Sequence, residues 1–180
     1  HYTVLNQALK YATGELQILE SNPAEYIKPP SPKKPKINAM SQNEVEELLS
    51  AAKGWLYDFL YLAIFTGMRR GELLALSWEN VDLEEQKIQV RQSVNMLAGG
   101  KLSYKEPKTN SSIRPIDFND DIKQILKEIK LQQKKDKLRF ADKYNNENNL
   151  VFVKQDGSPY LPDYATKQFK KLVRRLDLGQ

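Results

Sequence analysis

The stretch from Trp55 to Trp78 most limits what this chain can fold into. Trp55 to Phe65 is almost continuously apolar, and an apolar run of that length reads as a buried helix. Thr66 and Gly67 follow, and a glycine just past an apolar helix is the residue that ends it in the left-handed conformation. Met68-Arg69-Arg70-Gly71-Glu72-Leu73-Leu74 then opens a second, short helix, expected over residues 69–77, with Leu73, Leu74 and Leu76 facing the core. Arg69 therefore stands on a hinge at a helix start. The helix start adds positive potential, and a guanidinium presents five donors. That combination suits a phosphate. A surface arginine paired with Glu72 one turn on would satisfy the same residues.

Around this centre the periodicity changes twice. Val4, Leu5, Ala8, Leu9, Ala12, Leu16 and Leu19 lie at helical spacing, so residues 3–20 read as helix, broken near Gly14. Residues 29–36 hold four prolines and three lysines and read as an extended, semi-rigid linker. Ser41 and Glu44 form a capping-box pattern that opens a helix over 42–52. Ile88, Val90 and Val94 alternate as in a strand; 101–105 and 112–117 read as two further short strands, making a small antiparallel meander. Ile122, Ile125, Leu126 and Ile129 share one face of a helix over 119–136. The Asn- and Lys-rich residues 137–149 read as a loop, and Val151 to Val153 as a short buried extended piece. Asp163 is expected to cap a last helix, 164–176, with Phe169, Leu172 and Val173 inside. The fold class is mainly α with a small antiparallel β meander (α+β). Three parts are expected: residues 1–28 as the end of a helical domain, 29–37 as linker, and 38–180 as the main domain.

Composition removes several functions. With no cysteine and one histidine, His1, disulfides, thiolate metal sites and a Ser-His-Asp triad have nothing to work with. No metal and no cofactor is expected. No apolar run reaches the length of a membrane span, and no signal-peptide pattern opens the chain. The net charge is +5 and the isoelectric point near 9.2. This modest excess suggests a polyanionic partner. It is concentrated at Lys33, Lys34 and Lys36 and again over residues 167–175.

The motifs resemble a known family. An apolar helix, Thr-Gly-Met-Arg, then Glu72-Leu73-Leu74, Leu76 and Trp78, with Val81 and Asp82 following, resembles the first conserved box of the tyrosine recombinases, the phage-integrase family. Lys108-Thr109 with Ser112 and Arg114 resembles the family's sheet turn, which bears a catalytic lysine. Residues 9–12 through 22–24 resemble the end of its helical core-binding domain. The likeness thus covers nearly the whole chain, with prophage and mobile-element integrases nearest in character.

That resemblance implies a tyrosine-recombinase catalytic-domain-like fold and a DNA strand-transfer enzyme of the bacterial cytoplasm. In such enzymes a tyrosine attacks a phosphodiester to form a 3′-phosphotyrosyl link, arginines brace the nonbridging oxygens, and a lysine protonates the leaving 5′-oxygen. It makes Arg69 the first bracing arginine and Lys108 the general acid. Lys105 and Arg114 compete for the latter role, and only the Lys-Thr context favours Lys108. Glu72 becomes the carboxylate that orients the arginine or its helix, or equally one that complements the helix dipole. Phosphate contacts are expected from Lys33, Lys34, Lys36, Arg70, Arg91, Lys101, Lys105, Thr109, Arg114, Lys167, Lys170, Lys171 and Arg174. The partner implied is double-stranded DNA at attachment or recombination sites, with self-association on DNA in the full-length protein and no membrane. The family also uses a His-x-x-Arg box, a further His or Trp, and the tyrosine. None of the nine tyrosines has a matching context, so this chain is expected not to cleave DNA alone. Other readings are a non-catalytic DNA-binding module that occupies sites, a type IB topoisomerase-like enzyme, and a helical interaction protein with a basic face.

Overall fold

The structure, a computed structural model, describes residues 2–29, 39–97, 99–105 and 113–178. The chain divides into two compact units, His1–Asn38 and Ala39–Gln180. In the first, helix α1 spans Tyr2–Gly14 and buries none of its side chains. The following segment is tied back to it by polar groups: Asn22 Nδ2 donates to Asn6 Oδ1 at 2.8 Å, and the Tyr2 hydroxyl lies 3.1 Å and 3.0 Å from the carbonyls of Ala24 and Ile27.

The second unit is built on α2 (Gln42–Ala51) and α3 (Trp55–Thr66). Ser41 accepts from the Glu44 amide, and Glu44 accepts from the Ser41 amide at 2.7 Å, so the capping box closes as its sequence requires. Gly67 ends α3 at φ 64°, and its amide donates to Ala63 at 3.1 Å. α3 carries Phe59 and Leu62 into the main core, with Met68, Leu73, Leu74, Leu76, Ile88, Val90, Val94, Ile122, Leu126, Val151 and Phe152. On its other side, Leu60 joins Leu48 of α2 and Leu172 in a second cluster.

α4 is Arg70–Leu74, shorter than the 69–77 expected. The reason is tertiary. Leu76 accepts from the Val151 amide at 2.8 Å and Ser77 bridges Leu150, so the chain leaves the helix to pair with residues 150–151. Gly71 in α4 has no room for a side chain: an added Cβ would meet Ser93 Oγ at 2.5 Å and the Val94 carbonyl at 2.9 Å.

The antiparallel β structure is present but is split into two sheets. β1 (Val81–Asp82), β2 (Lys87–Val90) and β5 (Arg114–Asp117) form one, in the order β1-β2-β5. β3 (Ser93–Met96) and β4 (Leu102–Lys105) form the other. The single strand expected through Ile88 and Val94 is broken between β2 and β3, where the Gln92 amide group turns to donate to the Ala75 carbonyl at 2.8 Å. β5 then returns to β2, Val90 opposite Arg114 and Ile88 opposite Ile116, instead of continuing the meander from β4.

α5 runs Asp120–Phe140, taking in residues expected as loop, and a 3₁₀ turn follows over Ala141–Lys143. Beyond it Asn146 is bonded through both side-chain atoms to Leu150, and the Asn145 amide donates to Asp156 at 2.8 Å. The Asn146 side chain here holds backbone instead of solvating a loose loop. Gln133 of α5 accepts from Trp78 Nε1 at 2.8 Å and donates to the carbonyls of Leu150 and Val151, clamping three segments together. α6 is Pro162–Arg175. Its cap is Leu161, with Pro162 in the first turn where no amide is missed; Asp163 lies inside the helix, not at its cap. Among the described residues no helix is long and apolar enough to cross a membrane.

Candidate functional site

Arg69 is the residue before α4. Its backbone is extended, φ −70° and ψ 153°, and its carbonyl accepts from the Leu73 amide at 3.0 Å. The αL glycine behind it and the helix in front fix where its Cα sits. Its side chain is 77 % exposed. Glu72, one turn on, is the opposite case: its side chain is only 8 % exposed. A carboxylate this deep needs donors, and it has four. Oε2 accepts from the Arg69 amide at 2.8 Å and from Arg114 Nη2 at 2.9 Å. Oε1 accepts from Arg69 Nη1 at 3.0 Å and from Arg114 Nη1 at 3.2 Å. Burial pushes the Glu72 pKa up, but the bonds from Arg114 and Arg69 outweigh it and hold the carboxyl below its ordinary value. The same pairing raises the Arg114 pKa. Two guanidiniums share the charge of Glu72.

The fold brings Arg69, Glu72 and Arg114 together. Arg70 turns away: its Nη1 donates to the Pro162 carbonyl at 3.3 Å and to the Thr166 hydroxyl, joining the hinge to α6. Arg91, Lys101 and Lys105 are exposed beside the β3–β4 hairpin, and Lys167, Lys170, Lys171 and Arg174 are exposed along α6. Lys33, Lys34, Lys36, Lys108 and Thr109 lie outside the described residues.

The tyrosines nearest the end of the chain are engaged in packing. Tyr160 stacks on Trp55 with ring centres 4.0 Å apart, and Tyr164 lies parallel to Tyr160 at 5.9 Å. Burial pushes the Tyr160 phenol pKa up, with Tyr164, Asp156 and Asp136 adding to it. A phenol held protonated in this way is a poor nucleophile.

Sequence reading placed Arg69 beside Glu72 because they are neighbours on one helical turn. The bond between Glu72 and Arg114 was missed. The two are 42 positions apart, and only the Lys-Thr-x-x-Ser-x-Arg spacing drew attention to Arg114 at all. Among the described residues no group of three acidic or histidine side chains is arranged to hold a metal ion.

The profile of the phage integrase family matches residues 38–179. A tyrosine recombinase XerC-like protein of Caldanaerobacter subterraneus subsp. tengcongensis is 29 % identical over 174 residues, 91 % of this chain and 43 % of the relative. The prophage ps2 probable integrase of Lactococcus lactis subsp. lactis is 31 % identical over 96 % of this chain and 47 % of its own length. The chain thus spans about half the length of the curated relatives it matches. Among solved structures, the Tn1549 transposon integrase in complex with transposon right end DNA matches with a TM-score of 0.79 at 23 % identity, covering 99 % of this chain and 58 % of that one. A lambda integrase dimer bound to a COC′ core site matches with a TM-score of 0.66 at 16 % identity, over 99 % of this chain and 57 % of the integrase. At such identities the structural likeness is one of fold.

Proposed function

The chain belongs to the phage integrase family, and from that premise we propose that it acts in site-specific DNA recombination as the part of a tyrosine recombinase that grips the scissile phosphate. The observation that carries this reading is an exposed guanidinium, Arg69, held from behind by a buried carboxylate inside the region that matches the family. Fixed donors aimed at a phosphate stabilise the charge that grows on it as the bond is exchanged. Only one Arg69 nitrogen is occupied by Glu72 in a hydrogen bond through its side chain, so the rest of the planar fork is available for nonbridging oxygens.

In this reading Arg69 braces the phosphate, Glu72 orients Arg69, and Lys108 protonates the 5′-oxygen as it leaves. The tyrosine and the His-x-x-Arg box of the 3′-phosphotyrosyl chemistry are not matched within these 180 residues, whose one histidine is His1. Cleavage is accordingly assigned to the whole recombinase and not to this stretch by itself. The exposed lysines of α6 and the basic residues of the β3–β4 hairpin follow the DNA backbone. The setting is duplex DNA in the bacterial cytoplasm, with protomers associating on it; the DNA-bound integrases of the same fold support the DNA partner, and the lambda integrase dimer the association.

The test is a fluorescence titration of a labelled duplex at several salt concentrations. Each phosphate neutralised releases counterions, so log K should fall with log salt at a slope of about −0.9 per contact. Arg69→Gln should flatten that slope by about one contact. Affinity that stays level between low and moderate salt rules the reading out.

A further inference from the structure

Two arginines share Glu72, and they are not equivalent. Arg69 leaves its side chain 77 % exposed, whereas Arg114 is 33 % exposed and commits both terminal nitrogens to the two oxygens of Glu72. Two cations and one carboxylate leave one positive charge, and the difference in exposure puts that charge at Arg69. The two also differ in their footing. Arg69 caps a helix of five residues, too short to hold its own shape without outside support. Arg114 begins β5 and lies opposite Val90 in the three-stranded sheet.

We propose that Arg114 is a positioning residue and not a DNA contact: it clamps Glu72 from the sheet side, so that Glu72 holds Arg69 with its guanidinium turned to solvent. This rests on the reading of Arg69 as the phosphate-bracing group. The clamp depends on shape as well as charge. A guanidinium spans both carboxylate oxygens with parallel bonds, while an ammonium reaches one of them at a time. Without the clamp, Glu72 keeps two donors instead of four, both from Arg69. It then draws Arg69 inward to make up the deficit, because a buried carboxylate short of donors is costly.

The experiment is nuclear magnetic resonance on the isotope-labelled 180-residue chain, without DNA, comparing it with Arg114→Lys. The expected result is that the Glu72 carboxyl carbon titrates at a higher pH in the variant and that the Arg69 Nε resonance shifts, while the melting curve stays cooperative. A lysine preserves the charge and most of the packing, so a bulk structural role would move neither signal. Unchanged Glu72 and Arg69 signals in Arg114→Lys overturn the proposal. If that variant does not fold, the Glu72→Gln/Arg114→Gln pair, which removes the buried charge together with its partner, gives the same reading through the Arg69 resonance. A second arm measures duplex binding as a double-mutant cycle: Arg114→Gln should lose affinity severalfold, but in an Arg69→Gln background, where the Arg69 contact is already gone, it should leave the salt slope unchanged. A slope lowered by a further amount of about 0.9 in that background makes Arg114 a phosphate contact and overturns the proposal. Absence of DNA binding by the unaltered chain would sink the recombination reading and leave the resonance comparison to decide the clamp.

Discussion

Glu72 and Asp58 are carboxylates on helices that wall the same core, and their surroundings drive them in opposite directions. Both are partly withdrawn from water. Glu72 meets four donors and is held below its ordinary pKa. Asp58, in the first turn of α3, meets the negative charge of Glu128 from α5; burial first, then that repulsion, raises its pKa to about 6. The sign of the consequence follows. The folded chain binds the Asp58 proton more tightly than the unfolded chain does, so stability falls as pH rises from about 4 through 6. Asp58→Asn removes that term. Relative to the unaltered chain, the variant should gain of order 1 kcal/mol between pH 4 and pH 7, with the partial exposure of Asp58 allowed for. Urea unfolding at both pH values measures it, and parallel curves would show that Asp58 titrates normally. Neither carboxylate announces its state in the sequence. A glutamate at the third position of a helix and an aspartate in a first turn are both common, and what distinguishes these two arrives from distant elements.

At the scale of elements, local chemistry set the helix ends well and the lengths less well. α2 starts at its capping box and α3 stops at Gly67, because the groups that satisfy those ends are near neighbours in sequence. α4 stops early because residues 150–151 take over the backbone bonds after Leu74. α5 runs on to Phe140 through a polar segment whose composition resembles loop, and its Gln133 is bonded to Trp78, Leu150 and Val151. Gly71 shows how tightly these elements meet. It is helical and needs no unusual backbone, yet its missing Cβ lets α4 lie directly on β3. Gly71→Ala should therefore lose stability although alanine favours helix. An overpacked contact against backbone costs about 1–3 kcal/mol, against a gain in helix propensity of at most about 1 kcal/mol. A thermal melt decides it; an unchanged or raised midpoint would mean that β3 yields freely.

At the scale of the whole molecule, the first unit and the second differ in how they are held. α1 buries no side chain within its unit and is tied to residues 22–27 by polar groups, whereas residues 39–180 enclose two apolar clusters. Residues 39–180 expressed alone should unfold cooperatively with a midpoint close to that of the 180-residue chain, by calorimetry. Loss of cooperativity would mean that the first 38 residues complete the core. The sequence by itself determined the identity of the helices, the α+β class and the family resemblance, because each rests on residues close together: caps, glycine stops, periodic apolar faces and one contiguous box around Arg69. The pairing of β5 with β2, the division of the strands into two sheets, and the grip of Arg114 on Glu72 were decided only by the tertiary structure. Periodicity says which face of an element is apolar. Which distant element meets that face depends on how the whole chain closes its core, and the buried carboxylate found its second arginine through that closure.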